Sequence, residues 1–234
     1  MKQTLILIPF LFLNWSLSSE PVRYKLEGYE FYFFKDPKST SASQIDMILK
    51  DFADQFESAL RQESERLNLK TPGETSILIF ETTSIFTRMS GQPSYIAARF
   101  IPERNRFYFQ NPKILEKRNI LTSLIRHEIC HFLSPHQAEE SLKWLEESYC
   151  EALYPTNPVV SKNLLDFPKS WEQFRKFNRK TASKKEEFKK YKLLSTWGNW
   201  ILKTLGESKF RTLLKTETQE KKWKSLYLEF LKSK

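Results

Sequence analysis

Strand-forming patterns are confined to the first 110 residues of this 234-residue chain, and the rest reads as helix. Residues 22–34, VRYKLEGYEFYFF, are dense in aromatic and β-branched types and predict one or two strands. Within residues 43–69, Ile45, Ile48, Leu49, Phe52, Ala53, Phe56, Ala59 and Leu60 recur at three- and four-residue steps, the spacing of one buried helix face. Pro72-Gly73 ends that helix. Residues 75–82 predict a short apolar strand and residues 85–90 a helical turn. Residues 95–110 hold two alternating runs, YIAARF and RFYFQ, split by IPERN, which predicts a β-hairpin. Asn111-Pro112 opens a helix with proline at its first position. It runs, with a break near Arg118, to Ser134, where Pro135 stops it, and another helix covers residues 138–153. Strands mixed with one helix, then helices alone, make an α+β fold with segregated halves.

Composition narrows the function. Hydrophobic residues are 40% of the chain and aromatics 15%, enough for a packed core, which excludes a fully disordered chain. Five glycines exclude collagen-like and turn-dense all-β folds, and two cysteines with three histidines exclude a Cys-rich zinc ribbon. The net charge of +10 is uneven. Residues 155–234 carry 20 basic and 8 acidic residues, net +12, whereas residues 1–154 carry 18 and 20, net −2. Such lysine runs read first as a solvated helix face, and secondly as a surface for anionic partners.

The N-terminus carries the three-part pattern of a secretory signal. Met1-Lys2-Gln3 is a short positive start, residues 4–13 (TLILIPFLFL) are apolar, and Ser16, Ser18 and Ser19 are small. The apolar run is shorter than the ~20 residues that span a bilayer. Export therefore places residues 1–19 as a signal peptide and the mature chain in the periplasm or outside the cell. No transmembrane segment is expected in the mature chain. The anionic partner would be a cell-envelope surface, and nucleic acid is not expected.

His127-Glu128-Ile129-Cys130-His131 is an HExxH motif on a predicted helix. Positions i and i+4 share one helix face, so two imidazoles can grip one cation. Glu128 projects beside it, where a carboxylate can take a proton from a water activated by the metal. A third ligand is needed. His136 is one residue short of the position a metzincin would use, where Gln137 stands. Glu146, Glu147 and Glu151 on the next predicted helix are the alternatives. Glu147 and Glu151 share a face, while Glu146 is turned by about 100° and is expected to be an exposed acid. Cys130 and Cys150 lie on the same two helices and form either two buried thiols or a disulfide.

The run Lys143-Trp144-Leu145-Glu146-Glu147-Ser148-Tyr149-Cys150-Glu151 resembles the W-L-x-E-G-x-A segment of gluzincins, and in particular of the peptidase MA-like family. Residues 199–210, NWILKTLGESKF, are similar to a later helix pair of that family. The resemblance implies a zincin-like α+β domain over residues 20–154, with the basic helical part, residues 155–234, packed on it. It implies Zn²⁺ held by His127, His131 and Glu147, with Glu151 behind the ligands, and hydrolysis of a peptide or protein substrate with Glu128 as the base. Tyr154 and Tyr191 are candidate donors to the oxyanion. The Gly-x-Met-x-Asn loop of aminopeptidases is absent, which points to an endopeptidase. The competing expectation is a zincin-like binding protein without catalysis.

Overall fold

The computed structural model describes residues 20–26, 28–36, 42–71, 73–134, 143–156, 167–177, 183–215 and 220–233; the expected leader, Pro135 and His136 lie outside them. The chain begins with strands β1 (Val22–Leu26) and β2 (Tyr29–Phe34), the long helix α1 (Ala42–Leu67), β3 (Thr75–Phe80) and the short helix α2 (Thr83–Ser90). The hairpin strands β4 (Ala98–Ile101) and β5 (Arg106–Gln110) follow, joined by a 3₁₀ turn at Pro102–Arg104. Helices then succeed one another: α3 (Pro112–Lys117), α4 (Leu121–Leu133), α5 (Lys143–Leu153), α6 (Trp171–Phe177), α7 (Lys184–Leu205), α8 (Glu207–Leu214) and α9 (Glu220–Lys232). The fold is α+β. Among the described residues, no helix is long and apolar enough to cross a membrane.

The sheet has the order β1-β2-β3-β5-β4. Its centre, β2, β3 and β5, is parallel, and the edge strands β1 and β4 run antiparallel to their neighbours. Strand alternation sorts the side chains by face. Phe31, Phe33, Ile77, Ile79, Phe107 and Phe109 are fully buried in one core with the apolar stripe of α1. Phe56 meets Phe107 edge-on at 5.0 Å, and Phe52 meets Phe109 at 5.1 Å. Each phenylalanine buried this way contributes about 1.5–3 kcal/mol of transfer free energy. Leu78, Phe80 and Tyr108 point the other way and pack with Ile85 and Phe86 of α2.

Two elements are shorter than their sequence patterns. β3 stops at Phe80 because Thr82 turns to cap α2, its hydroxyl accepting from the Ile85 N–H at 3.3 Å. β4 starts only at Ala98: the Gln110 amide donates to the carbonyls of Ser94 and Ile96 at 3.1 and 2.7 Å. Side-chain bonds there replace ladder pairing.

The later helices build a second core. Trp171, Trp197, Trp223 and Tyr227 are fully buried in it together with Trp144, Leu145 and Tyr149 of α5. α5 therefore shares its core with α6–α9, and Cys130 of α4 enters the same core. α5 and α7 approach so closely that a Cβ on Gly198 would stand 2.1 Å from the Ser148 carbonyl oxygen. The Ser148 hydroxyl donates to the Leu194 carbonyl at 2.7 Å and fixes the register of the pair.

Candidate metal centre

α4 begins after Asn119 takes a left-handed φ of 54°, the break expected near Arg118. Leu121, Leu124, Ile125, Ile129, Phe132 and Leu133 bury one side of α4 in the sheet core. That leaves His127, Cys130 and His131 facing α5. One helical turn separates the imidazoles, and their Nε2 atoms stand 3.2 Å apart. Glu147 of α5 brings Oε1 to 3.2 Å from His127 Nε2, and Oε2 to 3.4 Å from His131 Nε2. Among the described residues, these three form the group whose ligand atoms could hold one metal ion.

The outer nitrogens decide what the inner ones offer. His127 Nδ1–H donates to the Tyr154 carbonyl at 3.1 Å, and a carbonyl can only accept. His131 Nδ1–H donates to Glu146 Oε1 at 2.8 Å. When the rings are neutral these partners hold their protons on Nδ1, so both Nε2 atoms turn lone pairs to the Glu147 carboxylate, and with no cation between them a proton on Nε2 takes that place. Glu147 Oε1 is itself buried without a well-aligned donor. Three acceptors facing one another repel unless positive charge lies between them. Two ligands of a tetrahedral zinc, each about 2.0–2.1 Å from it, stand roughly 3.3–3.4 Å apart. The Nε2–Nε2 separation is close to that edge length, and each Nε2 stands at about the same distance from a different oxygen of the Glu147 carboxylate.

The protonation equilibria show the same demand. Burial pushes both imidazoles down, but the Glu147 carboxylate outweighs it, holding His127 above and His131 well above the ordinary histidine range. Burial pushes Glu147 up, and the two imidazoles hold it well below the usual carboxylate range. Glu151 is pushed up to about 7, first by burial and then by Glu147. Its carboxylate lies 3.4 Å from His127 Nδ1 and accepts from the Thr156 N–H and hydroxyl at 3.1 and 2.9 Å.

Glu128 is buried, and its Oε2 accepts from the Phe100 N–H of edge strand β4 at 2.6 Å. It borders a cavity of about 60 Å³ together with His127 and Tyr191. Burial first, then the charges of Glu147 and Glu187, keep the Tyr191 hydroxyl protonated and able to donate. Tyr154 departs from expectation. Burial and the neighbouring Glu63 carboxylate of α1 push its hydroxyl up, and the Arg126 guanidinium lies over its ring at 6.0 Å, so the side chain is surrounded by groups of α1 and α4 outside the candidate triad. Its contribution to the site is its backbone carbonyl.

Glu146 also departs from expectation: it is 9% exposed and is the acceptor for His131. α4 meets α5 over an arc wide enough to receive two adjacent residues. One signal could have found it, since two ligating histidines need two outer acceptors and a single second acid serves only one. Cys130 and Cys150 form a disulfide with Cα atoms 5.7 Å apart. Among known proteins, no family model and no curated protein matches this chain.

Proposed function

We propose that this chain is an exported zinc metallopeptidase of the gluzincin type, cleaving within peptide chains. The observation that carries the reading is the convergence of His127 Nε2, His131 Nε2 and Glu147 at 3.2–3.4 Å, with both Nδ1 atoms already engaged. His127, His131 and Glu147 would hold the ion. When bound, zinc supplies Lewis acidity, which acidifies water and polarises a carbonyl. Glu128, held by the Phe100 N–H, takes the proton of the attacking water and passes it to the leaving amine. The Tyr191 hydroxyl donates to the carbonyl oxygen as charge develops on it. An extended peptide would lie along edge strand β4, beside Glu128, which already holds the Phe100 N–H. The leader pattern supports export. Exposed lysines of α7–α9, among them Lys185, Lys209 and Lys222, support an anionic envelope surface as a further partner.

Zinc stoichiometry and peptide-library cleavage test the reading. Glu128→Gln should bind one zinc ion and lose hydrolysis, because an amide is no base. A wild-type chain that binds zinc but cleaves nothing would instead be the non-catalytic binding protein.

A further inference from the structure

The three candidate ligands come from two helices that belong to two different cores. α4 is anchored in the sheet core through Leu124, Ile125 and Ile129, and α5 in the helical core through Trp144 and Leu145. The metal ligands and their acceptors meet across this seam, and so does one covalent bond. Cys130 stands between His127 and His131, and Cys150 between Glu147 and Glu151. Their disulfide ties α4 to α5 at the level of the ligands, Cys130 being the α4 residue that enters the helical core. Cys130 is 5% exposed and Cys150 is fully buried.

We propose that Cys130–Cys150 is a positioning cross-link for the metal centre. Oxidised protein binds zinc more tightly than reduced protein, and zinc in turn protects the disulfide. The inference rests on the metal-centre reading above. A metal accepts ligand distances only within about 0.2 Å, so the seam must be held to that tolerance. Reduction breaks the S–S bond, adds two electrons and two protons, and leaves two thiols. Non-bonded sulfurs need van der Waals separation where a bond stood, and a close-packed interior such as the cluster of Trp144 and Tyr149 around them resists that added separation. α4 and α5 then move apart beside the ligands. Among the described residues, the remaining polar ties at this level are the imidazole–carboxylate contacts and the bond from His127 Nδ1 to the Tyr154 carbonyl. The coupling is reciprocal by thermodynamic necessity.

The test uses the full chain in three forms: oxidised, reduced with a water-soluble phosphine, and the double variant Cys130→Ala/Cys150→Ala. In the phosphine reaction phosphorus is oxidised to the phosphine oxide, taking its oxygen from water, while the cystine gains the electrons and protons. Zinc affinity is read by competition with a chromophoric chelator, thiols by titration and folding by circular dichroism. The reduced chain and the variant, with helical signal retained, should bind zinc ~10-fold or more weakly than the oxidised chain, the scale of a lost positioning contact. Saturating zinc should raise the phosphine concentration needed for half-reduction. The variant cannot ligate through sulfur, so it separates positioning from thiolate binding. If it does not fold, the zinc dependence of reduction carries the test alone. Equal affinity within twofold in oxidised and reduced protein, with reduction indifferent to zinc, overturns the proposal. Absence of zinc binding by the oxidised chain overturns the metal-centre reading itself.

Discussion

Glu146→Ala separates a metal centre oriented by its outer acceptors from one defined by its three ligands alone. Glu146 touches no ligand-binding lone pair. It acts on the proton at His131 Nδ1, across 2.8 Å and in a site where the residue is 9% exposed. Removing it leaves a buried imidazole N–H without an acceptor and frees the ring to rotate. Losses of this kind cost about 10–100-fold in metal affinity, roughly 1.4–2.7 kcal/mol. Glu146→Gln keeps an acceptor oxygen but loses the charge, so it belongs at the ~10-fold end, and Glu146→Ala at the ~100-fold end. Glu147→Ala, which removes a ligand, should exceed both. The assay is competitive zinc titration at one pH, with circular dichroism on each variant to show that α5 persists. If Glu146→Ala binds zinc within twofold of wild type, the Nδ1 contact does not orient His131 and the argument from outer acceptors fails.

Three further outcomes follow from the packing and the charges. Gly198→Ala drives a methyl to 2.1 Å from the Ser148 carbonyl oxygen, a backbone atom that cannot swing aside, so calorimetry should show destabilisation by about 1–3 kcal/mol or more and zinc binding should weaken; an unchanged melting temperature would contradict the close α5–α7 contact. Burial raises the Glu207 carboxyl, but the Tyr149 hydroxyl and Arg66 reverse this and hold it below the usual range. Because the folded value is the lower one, its stabilisation is full above the unfolded value of about 4.3 and is lost as pH falls through the folded value. Melting curves from pH 6 down to 3 should therefore be flatter for Glu207→Gln than for wild type. Tyr191→Phe should lower kcat by ~100-fold with KM little changed, whereas Tyr154→Phe should leave turnover near wild type and cost about 1 kcal/mol of stability. The reverse ranking would exchange their roles.

Local periodicity made much of this protein legible from its sequence. The apolar stripe of α1, the alternation in β2, β3 and β5, and the i, i+4 placement of His127 and His131 depend on contacts within a few residues, which backbone geometry alone dictates. The resemblance of the α5 segment to the gluzincin W-L-x-E run brought Glu147 forward from among three candidate acids, and Glu147 is the one that meets both Nε2 atoms. What lies around that triad was decided by the way α5 is laid against α4. Glu146 accepts from His131 Nδ1, the Tyr154 backbone carbonyl accepts from His127 Nδ1, and Glu128 is tied to Phe100 on an edge strand. These contacts join residues brought together by the crossing of two helices and the order of five strands. Those are fixed by distant features, the missing side chain at Gly198 and the division of apolar residues into two cores, so no window of sequence around the motif contains them.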